Sequence, residues 1–163
     1  MADGALADTY RMVTVTDTLT ESNSKKMNNR PTLEQRLERA RALRASGHNC
    51  AQTVAIVFDD IDGAPSEADA ARMFGPLGGG VSAQGLICGA LSAGLMISAL
   101  TDPADTPKSR VYVLGRERSE AFERRFGSKD CRELKQKYKV ACNDLIYGTI
   151  TAIHNRLESE SHD

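Results

Sequence analysis

The sequence predicts an all-α fold, a compact helical bundle of about five to six helices behind a disordered or irregular N-terminal leader. Three observations predict it. From Thr32 onward the chain breaks into stretches with apolar residues at helical spacing, several opened by a capping residue and closed by a glycine. No second strand partner, heptad register or internal repeat accompanies them, which leaves helix-on-helix packing. At 163 residues the chain suits one domain with a real core.

The elements follow in order. Residues 1–30 are rich in Thr, Ser, Asn and charge and read as a disordered or appended leader, with Val13 and Val15 able to make a brief strand. Residues 31–158 read as the helical domain and 159–163 as a tail. "TLEQRLERARALRASG" opens on a capping box, Thr32 to Gln35, stops at Gly47, and places Leu33, Leu37, Ala40 and Leu43 or Arg44 on one face. "NCAQTVAIVFDD" forms the second helix with Asn49 as cap. "SEADAARMFG" forms the third, from Ser66 to Gly75. A glycine-rich loop, "GPLGGGVSAQG", leads to a fourth helix over roughly 83–100. There Gly85, Gly89 and Ala93 recur on one face and allow another backbone to come close. "DTPKSRVYVLGRERSEAFERRFG" is an amphipathic fifth helix ending at Gly127. Ser128 caps a short turn carrying Cys131, and "VACNDLIYGTITAIHNRLESE" is the last helix.

Composition excludes several functions. Twenty-two acidic residues against 21 Lys/Arg give a net charge of −1, so there is no electrostatic case for nucleic acid or an anionic membrane. With no tryptophan and four each of tyrosine and phenylalanine, a base-stacking surface has little to build on. The N-terminus lacks the basic and apolar regions of a signal peptide. The apolar run 86–100 is too short for a bilayer, which needs about 20 residues. The expected location is the cytoplasm, where thiols stay reduced and cysteines serve metals or redox chemistry more than structural disulfides.

That places the weight on Cys50, Cys88, Cys131 and Cys142. Three of them, Cys50, Cys131 and Cys142, fall near expected helix N-termini, whose partial positive charge favours the thiolate. Their gaps of 38, 43 and 11 residues contain no CxxC, so zinc knuckles, thioredoxin-type dithiols and ferredoxin spacings all lack their signature. The run Gly78, Gly79, Gly80 can turn its N–H groups inward as a nest for thiolate or sulfide. It does not read as a phosphate cradle, because no strand precedes it and no Gly-Lys-Ser/Thr follows. His48, two residues from Cys50, can act as base or ligand, though a helix-end role is the simpler reading. His154 and His162 have no metal partner in sequence.

"GHNCAQTV" (47–54), "GGGVSAQGLICGALSAG" (78–94), "FERRFGSKDCREL" (122–134) and "CNDLI" (142–146), in that order, resemble the four-cysteine C-GCAxxG-C-C family, a group named redox-active largely for its cysteines. The resemblance spans about 33–157 and maps all four cysteines. It departs at one point: the CGAxxG motif ends in Ala93, with Gly94 adjacent. Related domains accompany haem domains in electron-transfer proteins, but this chain has no CxxCH.

The expectation is a redox protein whose four cysteines converge on one metal site. A [2Fe–2S] iron–sulfur cluster on Cys50, Cys88, Cys131 and Cys142 would carry electrons, with Gly78, Gly79, Gly80 and Gly89 shaping its surroundings. The alternatives are a metal-free thiol–disulfide protein, in which the same cysteines are the redox-active residues, and a structural zinc module. The partner would be another redox protein, with no nucleic acid and no membrane. Homo-oligomerisation stays open.

Overall fold

The computed structural model describes residues 30–160. The leader over 1–29, its strand at Val13 and Val15, and His162 lie outside the described residues. Within them run seven α-helices: α1 Leu33–Ala45, α2 Cys50–Ile56, α3 Glu67–Phe74, α4 Gly89–Ala99, α5 Lys108–Phe126, α6 Cys131–Gln136 and α7 Cys142–Glu160. A 3-10 turn, Gly75–Leu77, follows α3. The described residues hold no strand, only an isolated antiparallel bridge between Ile87 and Asp130. The fold is all-α, as expected, and the turn around Cys131 is itself a short helix, which raises the count to seven.

Local chemistry sets most helix ends. Thr32 and Asn49 each close a reciprocal capping box, with Gln35 and Gln52, so two otherwise orphaned N–H groups are satisfied at α1 and at α2. Ser66 caps α3 through the Asp69 N–H. Gly127 ends α5 in the left-handed region at φ 98°. At α6 the cap is Asp130, whose carboxylate accepts from the Glu133 N–H. Ser128, the expected cap, instead donates to the Glu133 carboxylate and accepts from the Asp130 N–H.

The largest departure from expectation is the start of α4. It begins at Gly89, not near residue 83. Residues 79–83 are all left-handed (Gly79 φ 64°, Gly80 69°, Val81 58°, Ser82 51°, Ala83 62°), which no right-handed helix can contain. Residues 85–88 then pair edgewise with 129–132. Cys88 N–H donates to Lys129 O at 2.9 Å, Cys131 N–H to Leu86 O at 2.6 Å, and Arg132 N–H to Gly85 O at 3.1 Å. Gly85 therefore lies outside the helix, at φ 75° against the Arg132 side chain, and shares no face with Gly89 and Ala93.

Helix α2 is central, with α1, α3, α4 and α7 packed on it. Val54, Ala55, Ile56, Phe58, Ala90, Ala93, Ile97, Ile146 and Ile150 form its dry surroundings. The apolar face expected for α1 needs one addition: Arg36 is buried. Its guanidinium donates to Val57 O at 2.8 Å, forks onto Asp60 at 2.7 and 2.8 Å, and lies 4.4 Å from the centre of the Phe58 ring. It satisfies a carbonyl at the end of α2 and stacks on an aromatic, so a charged residue stands on the face that the helical spacing gives to Leu33, Leu37, Ala40 and Leu43.

Arg36 and Arg39 both form bidentate carboxylate pairs, but Arg36 is 1% exposed and Arg39 35%. Breaking the buried pair leaves a charge in a poorly solvated place. Arg36→Met is expected to cost about 3 kcal/mol in urea denaturation, and Arg39→Met under about 1 kcal/mol. Equal losses would show that the Arg36 network does not tie α1 to α2.

Candidate functional site

All four cysteines stand at helix N-termini. Cys50 is the first residue of α2, Cys88 the N-cap of α4, Cys131 the first residue of α6 and Cys142 the first of α7. The sequence reading foresaw this for three of them. Cys88 joins because the left-handed turn delays α4. Cys88 and Cys131 are buried, Cys50 and Cys142 half-buried, and none is in a disulfide.

Backbone contacts bring three of these ends together, those of α2, α4 and α6. The 86–88 segment ties Cys88 to the entrance of α6 through the hydrogen bonds given above. Gly89 faces the start of α2: a Cβ added there would sit 2.7 Å from the Cys50 sulfur and 2.6 Å from Leu77 O. Gly80 faces α6 in the same way, since a Cβ would come within 2.6 Å of the Cys131 Cβ. Gly78 packs on the side chain of Asn49, the residue that caps α2 just before Cys50. Each of these three glycines thus lies against a cysteine or its capping neighbour. Gly79 has another task, because at φ 64° a Cβ there would meet the Ala83 backbone. Of the expected three-residue nest, Gly78 is extended, and Gly79 and Gly80 begin the left-handed turn.

The thiols also interact electrostatically. Burial pushes the Cys88 thiol up to about 11, and the nearness of Cys50 and Cys131 pushes the same way. The N–H groups of Leu91 and Ala90, in the first turn of α4, pull back without closing a cap hydrogen bond. Cys131 is raised as well, first by burial and then by Cys142, Cys50 and Asp130, while Lys135 opposes. Helix N-termini favour thiolates, but at Cys88 and Cys131 burial wins. Among the described residues, no group of three or more His, Cys, Asp or Glu is arranged to hold a metal ion.

The histidines stand apart. His48 Nδ1 is 3.0 Å from Ser46 Oγ and 3.2 Å from Leu43 O, a helix-end arrangement. His154 is buried beside Arg36, and burial followed by that guanidinium holds it below its ordinary value. The site residues that escape the sequence reading are Leu77, whose carbonyl abuts Gly89, and the left-handed Val81, Ser82 and Ala83. Only the preceding glycine run signals them.

The fold and site define a class: a small protein, all-helical over the described residues, with four thiols that each stand at a helix start. The family described as "Putative redox-active protein (C_GCAxxG_C_C)" matches residues 48–155, which carry all four cysteines, and the chain belongs to that family. No curated protein and no solved structure matches the chain. No helix of the described residues is long and apolar enough to cross a membrane.

Two measurements check this geometry. In reduced, chelator-treated protein at pH 8, iodoacetamide should label Cys50 and Cys142 before Cys88, since attack needs an accessible thiolate. Mass spectrometry reads the order, and Cys88 labelled first would contradict its burial. Gly89→Ala should change the labelling rate of Cys50 and cost about 1–3 kcal/mol, because its Cβ has no room. Gly115→Ala, in open space on α5, should be neutral or stabilising by up to about 1 kcal/mol.

Proposed function

We propose that the four cysteines act as one electron-transfer centre, holding a [2Fe–2S] cluster on Cys50, Cys88, Cys131 and Cys142. The observation that supports this reading is that each of the four cysteines stands at a helix start, with the starts of α2, α4 and α6 in contact. Four thiolates are the donor set of such clusters, so the chemistry of the residues fits. Gly80 and Gly89 let the backbone come up against Cys131 and Cys50, where a Cβ would overlap them. When bound, the cluster supplies a site that accepts and releases one electron.

The chain's residues divide the remaining work. The partial positive charge of a helix start favours the ionised form of the sulfur beside it. The core around Cys88 excludes water. Gly79 and Gly80 give the loop a conformation in which backbone donors can face sulfur, which tunes a potential. Four thiolates so placed repel one another, as the mutual upward pressure on Cys88 and Cys131 illustrates. A positively charged guest relieves that repulsion. A thiol–disulfide enzyme needs instead an exposed thiolate of lowered pKa, and burial drives Cys88 the opposite way. The reading places the protein in the cytoplasm, exchanging electrons with another redox protein.

Purification without oxygen tests it. A brown protein with broad visible absorption and about two iron and two sulfide per chain is expected, with the colour lost on replacing any one of the four cysteines by serine. A colourless protein carrying one zinc would establish the structural module. A colourless, metal-free protein whose thiol count falls on mild oxidation would establish thiol–disulfide cycling.

A further inference from the structure

A cavity of about 280 Å³ opens between α4, α5 and α7, and no cysteine lines it. Its walls are largely apolar, with Leu91, Phe122, Phe126 and Ile153 among them. Three arginines, Arg118, Arg125 and Arg156, also line it, and no lining residue is acidic. Arg118 is neutralised, forking onto Asp102 with one arm at 2.8 Å. Arg156 is not matched in the same way. Its Nη2 donates to Thr101 Oγ1 at 2.7 Å and to Ser98 O at 3.1 Å. Its Nη1 is buried without a hydrogen-bond partner, 3.6 Å from an Asp102 oxygen already taken by Arg118. Burial, followed by Arg118, holds the Arg156 guanidinium below its ordinary value. One carboxylate therefore serves two guanidiniums, while Arg125 is exposed at the rim.

A buried donor without an acceptor is costly, more so when charged. An apolar space beside an under-neutralised guanidinium suits a molecule with a greasy body and one anionic end. We propose that this cavity binds an apolar monocarboxylate, such as a medium-chain fatty acid, with its carboxylate on Arg156 and its chain between Leu91, Phe122 and Ile153. Gly148 permits the arrangement: a Cβ there would lie 2.5 Å from Phe126 Cζ, so its absence lets α5 settle over α7. The site is independent of the cysteine reading, since none of its lining residues is a cysteine.

The test is calorimetric titration of the full chain with decanoate, and with decanol as the uncharged control. Decanoate is expected to bind saturably at one site per chain, and decanol at least about tenfold more weakly, the usual value of a charge-assisted hydrogen bond. Arg156→Met should weaken decanoate by a similar factor and leave decanol unchanged, and Arg156→Lys should restore part of the loss. Because Arg156→Met also loses the bonds to Ser98 and Thr101, Ala152→Phe provides a second variant. Ala152 lines the cavity and is exposed, so a larger side chain there should block binding while the melting temperature holds. The proposal is overturned if decanoate fails to saturate, if decanol matches it, or if Ala152→Phe binds normally. It is also overturned if light scattering shows that Ala152→Phe splits a dimer, which would make the cavity part of a subunit interface.

Discussion

The approach of the α4 N-terminus to the start of α2 is the constraint on which the site depends. It is made possible by one missing methyl group. At Gly89 the backbone lies so close to Leu77 O and the Cys50 sulfur that even an alanine Cβ would overlap them. Two helices that start at this contact each place a cysteine there, Cys50 and Cys88. The rest of the small-residue surface on α4 serves a different neighbour: Gly94 meets Thr149 of α7. The glycines of α4 thus hold it between two helices rather than along a single seam.

The second requirement is the turn that delivers α4 to this position. Five successive left-handed residues reverse the chain after the 3-10 turn, and three of them carry side chains. Each such residue costs about 1–2 kcal/mol relative to the right-handed conformation. The turn persists because its ends are tied. Ser82 N–H donates to Pro76 O, Ala83 N–H to Gly78 O and Leu86 N–H to Gly80 O, and Gly80 is buried. Strain of this kind concentrates where function needs a particular geometry. Here the turn sets the 86–88 segment against the entrance of α6, which brings Cys131 beside Cys88.

Electrostatics at the site are a contest between two consequences of the same packing. Gathering helix starts brings positive dipole ends to the sulfurs, and gathering the helices also removes water from them. At Cys88 the loss of water is the larger effect, and the neighbouring thiols add to it. A buried thiol set of this kind is better suited to sharing charge with a bound group than to acting as a lone nucleophile.

Helix boundaries written in adjacent residues were legible in the sequence. Thr32 with Gln35, Asn49 with Gln52, Ser66 and Gly127 act over three or four residues, and each forms the cap or stop that local chemistry dictates. The cysteines were legible as a set, and three of their four helix-start positions were expected: Cys50 from the Asn49 cap, and Cys131 and Cys142 from where their helices read as beginning. Tertiary structure decided the rest. The start of α4 moved because hydrogen bonds to Lys129, Cys131 and Arg132, more than forty residues away, outweighed a locally helix-like stretch. Arg36 lies on the apolar face of its helix, but it can stay there only because Asp60, Val57 and Phe58, more than twenty residues on, surround it. The approach of the segments carrying Cys50, Cys88 and Cys131 also belongs to the tertiary structure. Side chains separated by 38 and 43 residues have no local interaction that encodes their distance, and only the packing of the helices that carry them brings them together.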